Sequence, residues 1–285
     1  MISVILYAIG SGLIEVLISP IVEACPFENK EGVMSTLHSF YCWGAMAVIL
    51  GFTLFFTLFG MTYWPLLAFI WVLLPLYNTF NFINCPIKRL VEENQQLSFR
   101  QLIGQCLFWL MIVLMICAGA CEASMAQWSS AFCESALHAS KPIGDLLGPC
   151  MFAFWMGISR MLYVKYSKKL NLITAMLSCG LLCTFCYLLA SLAPVPILGL
   201  IGCSLFGLAV GLMWPGSISI SSKHCPNGGA AMFALLALSG DLGAMVSPTL
   251  VGNIAQVMGG NLTMGLLFAT LFPILLLFVL VKLKQ

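Results

Sequence analysis

Long runs of apolar residues alternate with short polar or turn-forming segments along the whole chain. A helix needs about 20 apolar residues to cross the hydrocarbon core of a bilayer. Runs of about this length cover residues 2–22, 35–58, 63–83, 102–122 (continuing to about 133), 143–163, 170–190, 195–215, 229–252 and 262–281. The pattern therefore predicts an all-α, polytopic membrane protein with about nine transmembrane helices.

The composition supports this prediction. Of 285 residues, 61% are hydrophobic and 8% are charged, and the mean hydropathy is +1.03. A soluble domain carries about 25% charged residues because it must solvate its surface, so this surface is expected to face membrane lipid. The net charge of +2 gives no strong field for nucleic acid, and no nucleic-acid partner is expected.

The 13 cysteines are interpreted as free thiols that pack within helices. Most lie inside apolar runs, where a thiol behaves as a small hydrophobic side chain. Cys183 and Cys186 form a C-x-x-C pair, but no second pair or nearby histidine completes a zinc site. We therefore predict neither a metal site nor a cofactor.

The basic residues predict the orientation. When the loops are assigned alternately to the two sides, all of the 12 lysines and arginines except Lys141 fall on one side. The positive-inside rule makes that side cytoplasmic. A multi-pass cell-membrane protein is thus expected, with its C-terminus in the cytoplasm and Met1 outside.

The longest cytoplasmic connection divides the chain into three spans and six spans. It covers residues 84–101 and contains several charged residues, Glu93 among them. We therefore predict a partial amino-terminal bundle of three helices at 1–83, a cytoplasmic linker at 84–101 and a six-helix bundle at 102–285.

Three of the ten acidic residues lie well inside predicted spans: Glu15, Glu122 and Asp241. A charge at the bilayer centre costs several kcal/mol, so such residues usually face a cavity and often bind protons or substrate. Small residues flank each of them at helical spacing. The alternative is that each acid is protonated and hydrogen-bonded within the bundle. Asp241 suits a gating or structural role as well as proton coupling. Asp145 and Lys141 are instead predicted to form a surface pair.

The basic segment at residues 157–169 is interpreted as a cytoplasmic loop that leaves a span. Its charges could simply set the topology. Alternatively, Arg160 and Lys165 could belong to a gate, in which Arg160 pairs with an acid or a helix C-terminus when the cytoplasmic side closes.

Several motifs, in their order and spacing, resemble the major facilitator superfamily and, within it, sugar transporters similar to the fucose:proton symporter. Residues 12–20, in which Glu15 precedes Ser19 and Pro20, resemble the fourth helix of that family. Residues 37–44 resemble the start of the fifth helix, and residues 122–128 resemble the seventh.

Two further motifs extend the resemblance towards the C-terminus. Residues 157–169 are similar to the cytoplasmic motif between the eighth and ninth helices, and Trp214 with Pro215 resembles the Phe-Pro of the tenth. The resemblance runs along essentially the whole chain and implies a major-facilitator-like bundle. The linker then lies where the family connects its sixth and seventh helices.

The resemblance implies secondary active transport of a small polar solute, expected to be a sugar, with proton coupling and alternating access between two bundles. Glu15 matches a family acid that serves substrate binding or proton coupling, although Ser19 replaces the usual asparagine. The other residues expected to bind substrate or protons are Glu122, Gln127, Trp128, Trp214 and Asp241.

The resemblance also implies that the first three family helices have no counterpart here, which leaves the amino-terminal half incomplete. An alternative is therefore a non-transporting remnant, or a chain that assembles with a separately encoded three-helix repeat. A membrane-embedded enzyme is a further alternative, but His38, His138 and His224 are isolated and are predicted to fall on both sides of the membrane. Neither G-x-S-x-G nor H-E-x-x-H occurs, and no enzyme activity is expected.

Overall fold

The computed structural model describes residues 1–92, 95–137 and 140–284. Glu93 and His138, both named in the sequence analysis, lie outside the described residues. The described chain is helical, without a strand in those ranges. Its α-helices are α1 (Ile2–Glu23), α2 (Lys30–Phe59), α3 (Trp64–Ile83), α4 (Phe99–Ile103), α5 (Cys106–Leu137), α6 (Lys141–Asp145), α7 (Met151–Tyr166), α8 (Leu172–Leu192), α9 (Pro196–Val210), α10 (Met213–His224), α11 (Gly229–Val257), α12 (Leu262–Ala269) and α13 (Leu271–Lys284).

Nine helical segments of the described chain are long and apolar enough to cross a membrane. Three of them combine shorter helices: α6 with α7, α9 with α10, and α12 with α13. The predicted spans are confirmed. The fourth begins at Cys106 instead of residue 102, because the short helix α4 precedes it.

The ends of the spans follow from local chemistry. The Asn29 side chain accepts a hydrogen bond from the backbone N–H of Gly32 (3.1 Å) and caps α2. Asn171 caps α8 in the same way. Gly60 ends α2 with a φ of 79°, a left-handed conformation that favours glycine.

Prolines within the spans have different effects on the helices. Pro149 lies in a π-helical turn, Leu146–Cys150, that joins α6 to α7. Such turns widen the helix locally and often accompany functional sites. Pro20 and Pro248 instead lie within the continuous helices α1 and α11.

Glycines allow the central helices to approach each other closely. Gly119 on α5 lies against the backbone of Gly240 on α11, and Gly243 on α11 lies against the backbone of Ile116. A side chain at any of these glycines would overlap its neighbour, so the α5–α11 contact depends on small residues. This contact forms the centre of the bundle.

The first three spans are much less buried than the last six. Within one apolar stretch of 18 residues in each span, 6% of the residues are buried in each of the first three spans, compared with 33–61% in the other six. α1 packs against α11, and α2 packs against α7 and α10. The described residues of α3, by contrast, are largely exposed.

The interpretation of residues 157–169 as a loop is wrong over most of its length. Helix α7 continues to Tyr166. Arg160 is 1% exposed and faces the interior of the bundle, because backbone carbonyls and a carboxylate there bind its guanidinium.

Candidate functional site: a cavity between the helices

A cavity of about 630 Å³ lies between the early helices α1 and α2 and the later helices α5, α7, α10 and α11. A cavity of this size can hold a small solute. Its lining residues are Ser11, Ile14, Glu15, Ile18, Leu37, His38, Tyr41, Gly119, Glu122, Ala123, Ala126, Gln127, Arg160, Trp214, Asp241, Ala244 and Pro248. All three acids that were singled out within spans therefore reach one cavity.

Arg160 is the cation that contributes to this lining, and its guanidinium joins three helices and one helix end. Nε donates to the carbonyl of Gly211 (2.7 Å), which follows α9, and Nη1 donates to the carbonyl of His38 (2.5 Å) on α2. The thiol of Cys42 also accepts from Nη1 (3.0 Å). Because the guanidinium has five donors in a fixed fork, it can satisfy several acceptors at once.

Glu122 supplies the carboxylate for this arginine. Its Oε2 lies 3.5 Å from Nη2 of Arg160. The Arg160 side chain is 2% exposed and that of Glu122 is 17% exposed. A pair with so little water contact needs all of its hydrogen bonds to offset desolvation, and the backbone acceptors around Arg160 provide them.

Glu15 and Asp241 differ from Glu122. Glu15 lies on α1 and Asp241 on α11, two helices that pack against each other. Neither carboxylate makes a hydrogen bond or an ion pair with a residue in the described part of the chain. Both are therefore available for a proton or a solute.

Helix α2 contributes two cavity residues that the sequence analysis did not assign to the site, His38 and Tyr41. Nε2 of His38 lies 3.4 Å from the hydroxyl of Ser19 on α1. The sequence feature that could have identified them is the i, i+3 spacing of His38 and Tyr41, which puts both side chains on one face of the helix. His38 was considered only as an isolated histidine.

Of the other predicted residues, Gln127 and Trp214 line the cavity, whereas Ser19, Trp128 and Lys165 are not among its lining residues. Trp128 Nε1 donates to the carbonyl of Pro248 (3.0 Å), and its ring lies beside Gly252. Lys165 is exposed and lies over the ring of Tyr166.

A set of polar contacts joins the helices at the end of the bundle where Lys30, Lys165 and Lys223 lie, which we call the basic end. Glu31 on α2 accepts from the hydroxyl of Tyr163 on α7 (2.5 Å) and pairs with Lys223 on α10. The Ser222 hydroxyl donates to Glu23 Oε1 (2.9 Å), and the Asn29 amide donates to the Ser167 hydroxyl (2.8 Å). We call these contacts the basic-end cluster.

Metal binding has no structural support in the described part of the chain. No group of three or more His, Cys, Asp or Glu side chains there is arranged to hold an ion.

The sequence profile of the Major Facilitator Superfamily matches residues 1–248. The chain belongs to the Major Facilitator Superfamily. Its members are transporters, so this is a multi-pass membrane protein of a transporter family and not an enzyme. No curated protein sequence matches the chain.

Two solved structures share the fold. The E. coli fucose:proton symporter FucP matches with a TM-score of 0.76 and 13% identity, over 95% of this chain and 73% of its own. FucP in the outward conformation matches with a TM-score of 0.77 and 13% identity, over 95% and 72%. The predicted major-facilitator-like fold is confirmed, and so is the resemblance to FucP.

Proposed function

We propose that the chain is a secondary active transporter that carries a small sugar together with protons by alternating access. The observation that carries the proposal is the cavity, because helices from the first three spans and from the last six contribute to its wall. A site at the boundary of two helical units becomes accessible from one side or the other when the units rock against each other.

Glu15 is our candidate for the proton site. It lies within a span, lines the cavity and has no partner among the described residues, so protonation would remove a charge that costs several kcal/mol to hold in the membrane. Glu122 already faces Arg160 (3.5 Å). Gln127 and Trp214 are candidates for sugar contacts, since an amide bonds hydroxyl groups and an indole ring packs on the apolar face of a sugar.

The basic-end cluster is our candidate for the gate at one end. Each of its contacts joins α1, α2 or the loop between them to α7, α10 or the residue that follows α7. All of them would have to break before the cavity could open through this end. The lysines favour a cytoplasmic position for this end under the positive-inside rule, and the proposed orientation has the C-terminus also in the cytoplasm and Met1 outside.

Uptake by proteoliposomes tests this function. Purified protein would be reconstituted with an inward proton gradient, and accumulation of radiolabelled hexoses would be compared with and without the gradient. We expect gradient-dependent accumulation that Glu15→Gln abolishes. Glu134→Gln is the matched control, because Glu134 lies outside the cavity lining. Accumulation that is indifferent to the gradient would contradict proton coupling, and full uptake by Glu15→Gln would remove Glu15 from the mechanism.

A second candidate role is association of the first three spans with another membrane-embedded unit, such as a separately encoded three-helix repeat. Exposed apolar residues suit lipid, but α3 also exposes the amides of Asn78 and Asn81. In addition, the buried Nε1 of Trp71 has no hydrogen-bond partner in the described chain. Polar groups of this kind stabilise helix contacts in membranes. Native mass spectrometry of the protein extracted from its own membrane tests this, since a purely monomeric mass would contradict it.

A further inference from the structure

The charge of the cavity wall is unbalanced. Three carboxyl groups and one guanidinium line it, and the guanidinium of Arg160 is already used by Glu122 and three other acceptors. If Glu15 takes the coupled proton, as proposed above, Asp241 remains as a carboxylate without a partner among the described residues. A wall of this kind disfavours an anionic solute.

Asp241 lies next to an aromatic surface. The ring of Trp214 packs against Gly240, the residue that precedes Asp241, and a side chain in place of Gly240 would overlap the indole. Trp214 and Asp241 both line the cavity. The absence of a side chain at residue 240 therefore lets the edge of the indole ring approach α11 beside Asp241, and the ring and the carboxylate line the same cavity.

A carboxylate and an indole ring that line one cavity are suited to a protonated amine. The carboxylate accepts charge-assisted hydrogen bonds from the ammonium, and the negative face of an indole attracts the same cation. Other parts of the wall offer partners for hydroxyl groups, among them Gln127, Tyr41 and Ser11. The cavity thus combines groups that bind a cation with groups that bind a polyol.

We propose that the solute is an amino sugar whose protonated amine is held by Asp241 and Trp214. This inference rests on the proposed function, since it specifies which kind of sugar the transporter takes. Asp241 is then a residue that determines specificity rather than a second proton site. Glu15 remains the proton site, so the amine and the proton occupy different carboxylates and can be carried together.

Binding of three matched sugars tests the proposal. Glucosamine, glucose and N-acetylglucosamine share one ring, but only glucosamine carries a positive charge. Isothermal titration of the protein in nanodiscs would give the affinity for each. We expect glucosamine to bind about tenfold to a hundredfold more tightly than the two neutral sugars, the range of one charge-assisted hydrogen bond.

The variants assign this preference to residues. Asp241→Asn keeps the shape and should abolish the preference, whereas Asp241→Glu keeps the charge and should retain most of it. Trp214→Leu should weaken glucosamine binding more than glucose binding. Glu134→Gln, an acid outside the cavity lining, should change nothing. Gel filtration and thermal unfolding establish that each variant is folded.

The outcomes separate this proposal from the proposed function. Equal binding of the three sugars, or a glucosamine preference that survives Asp241→Asn, would overturn the amine site. The transport function would still stand in that case if the protein took up a neutral hexose under a proton gradient. Preferential binding without gradient-driven uptake would support the amine site and contradict the transport mechanism. Failure of all three sugars to bind would overturn both the amine site and the assignment of a sugar.

Discussion

Both ends of the helical bundle contain a lysine paired with acids, but the partners come from different parts of the chain. At the basic end, Glu31 pairs with Lys223 and accepts from Tyr163, residues that lie more than a hundred positions away. At the far end, Lys141 pairs with Asp145 (2.6 Å), one turn along the same helical span, and with Glu134 (3.4 Å) at the end of α5.

Lysine–carboxylate pairs at the two ends therefore have different consequences for motion between the helices. The basic-end cluster ties the early helices to the late ones, so motion between them must break it. The far-end pair stays within residues 130–145 and can move as one unit with α5 and α6. Four substitutions test this contrast, and the first of them changes Arg160, which lines the cavity.

Arg160→Met should have the largest effect. Arg160 lies about one helical turn before Tyr163 on α7 and contacts α2 through the carbonyl of His38. Its removal leaves Glu122 without its cation, and breaking a buried pair in this way costs about 3–5 kcal/mol. We expect a corresponding fall in the free energy of unfolding, measured by denaturant titration in detergent, and loss of uptake.

Two further variants make this test specific. Adding Glu122→Gln to Arg160→Met should recover part of the stability, because the unpaired charge is then removed. Lys165→Met, on the same helix but exposed, should leave stability unchanged. If Arg160→Met were as stable as the parent protein, the pair with Glu122 would contribute nothing to the fold.

Glu31→Gln should have the next largest effect. Glu31 is the shared acceptor of Tyr163 and Lys223, and its side chain is 16% exposed. Hydrogen bonds to a charged group are worth about 1.5–3 kcal/mol, so opening of the basic end should become at least about tenfold more frequent. Hydrogen exchange should therefore accelerate in the first turns of α2 and the last turn of α10.

The control for Glu31→Gln is Glu28→Gln. Glu28 is exposed and lies in the loop just before α2, so its loss removes the same charge without touching the cluster. Equal acceleration in the two variants would mean that net charge, rather than the contacts across the helices, governs opening at this end.

Ser222→Ala should have a smaller effect of the same kind. It removes one hydrogen bond to the Glu23 carboxylate (2.9 Å), whereas Glu31→Gln affects two contacts. At the lower end of the range for a charged acceptor, about 1.5 kcal/mol, exchange in α10 should rise about tenfold. Ser178→Ala is the control, because the Ser178 hydroxyl bonds only to its own helix, at Thr174 (3.1 Å). An effect as large as that of Glu31→Gln would identify Glu23, and not Glu31, as the principal contact.

The sequence was sufficient to predict the spans and the acids of the cavity. Apolar length alone determines where a helix can cross a membrane, and a charge within a span is costly enough to point to a cavity. Glu15, Glu122 and Asp241 could therefore be singled out without coordinates. The pair of Lys141 and Asp145 followed from their i, i+4 spacing and is present at 2.6 Å.

The partners across the bundle could not be predicted, because they depend on how distant helices pack. The basic charges of Arg160 and Lys223 contributed to the predicted orientation of the spans but did not locate their partners. Arg160 was placed in a loop, since its burial depends on the carbonyls of His38 and Gly211 and on Glu122. His38 and Tyr41 were missed because a cavity wall is defined by several helices at once.

Lys141→Met should have the smallest effect and completes the comparison. Its side chain is 64% exposed and that of Asp145 is 29% exposed, and ion pairs that contact water contribute about 0–1 kcal/mol. The free energy of unfolding should fall by no more than that. Hydrogen exchange at the basic end and proton-driven uptake should be unchanged, because no partner of Lys141 lies on α1, α2 or α10. A loss of uptake as large as that of Glu31→Gln would mean that the far end also holds the two groups of helices together, and the contrast between the two ends would fail.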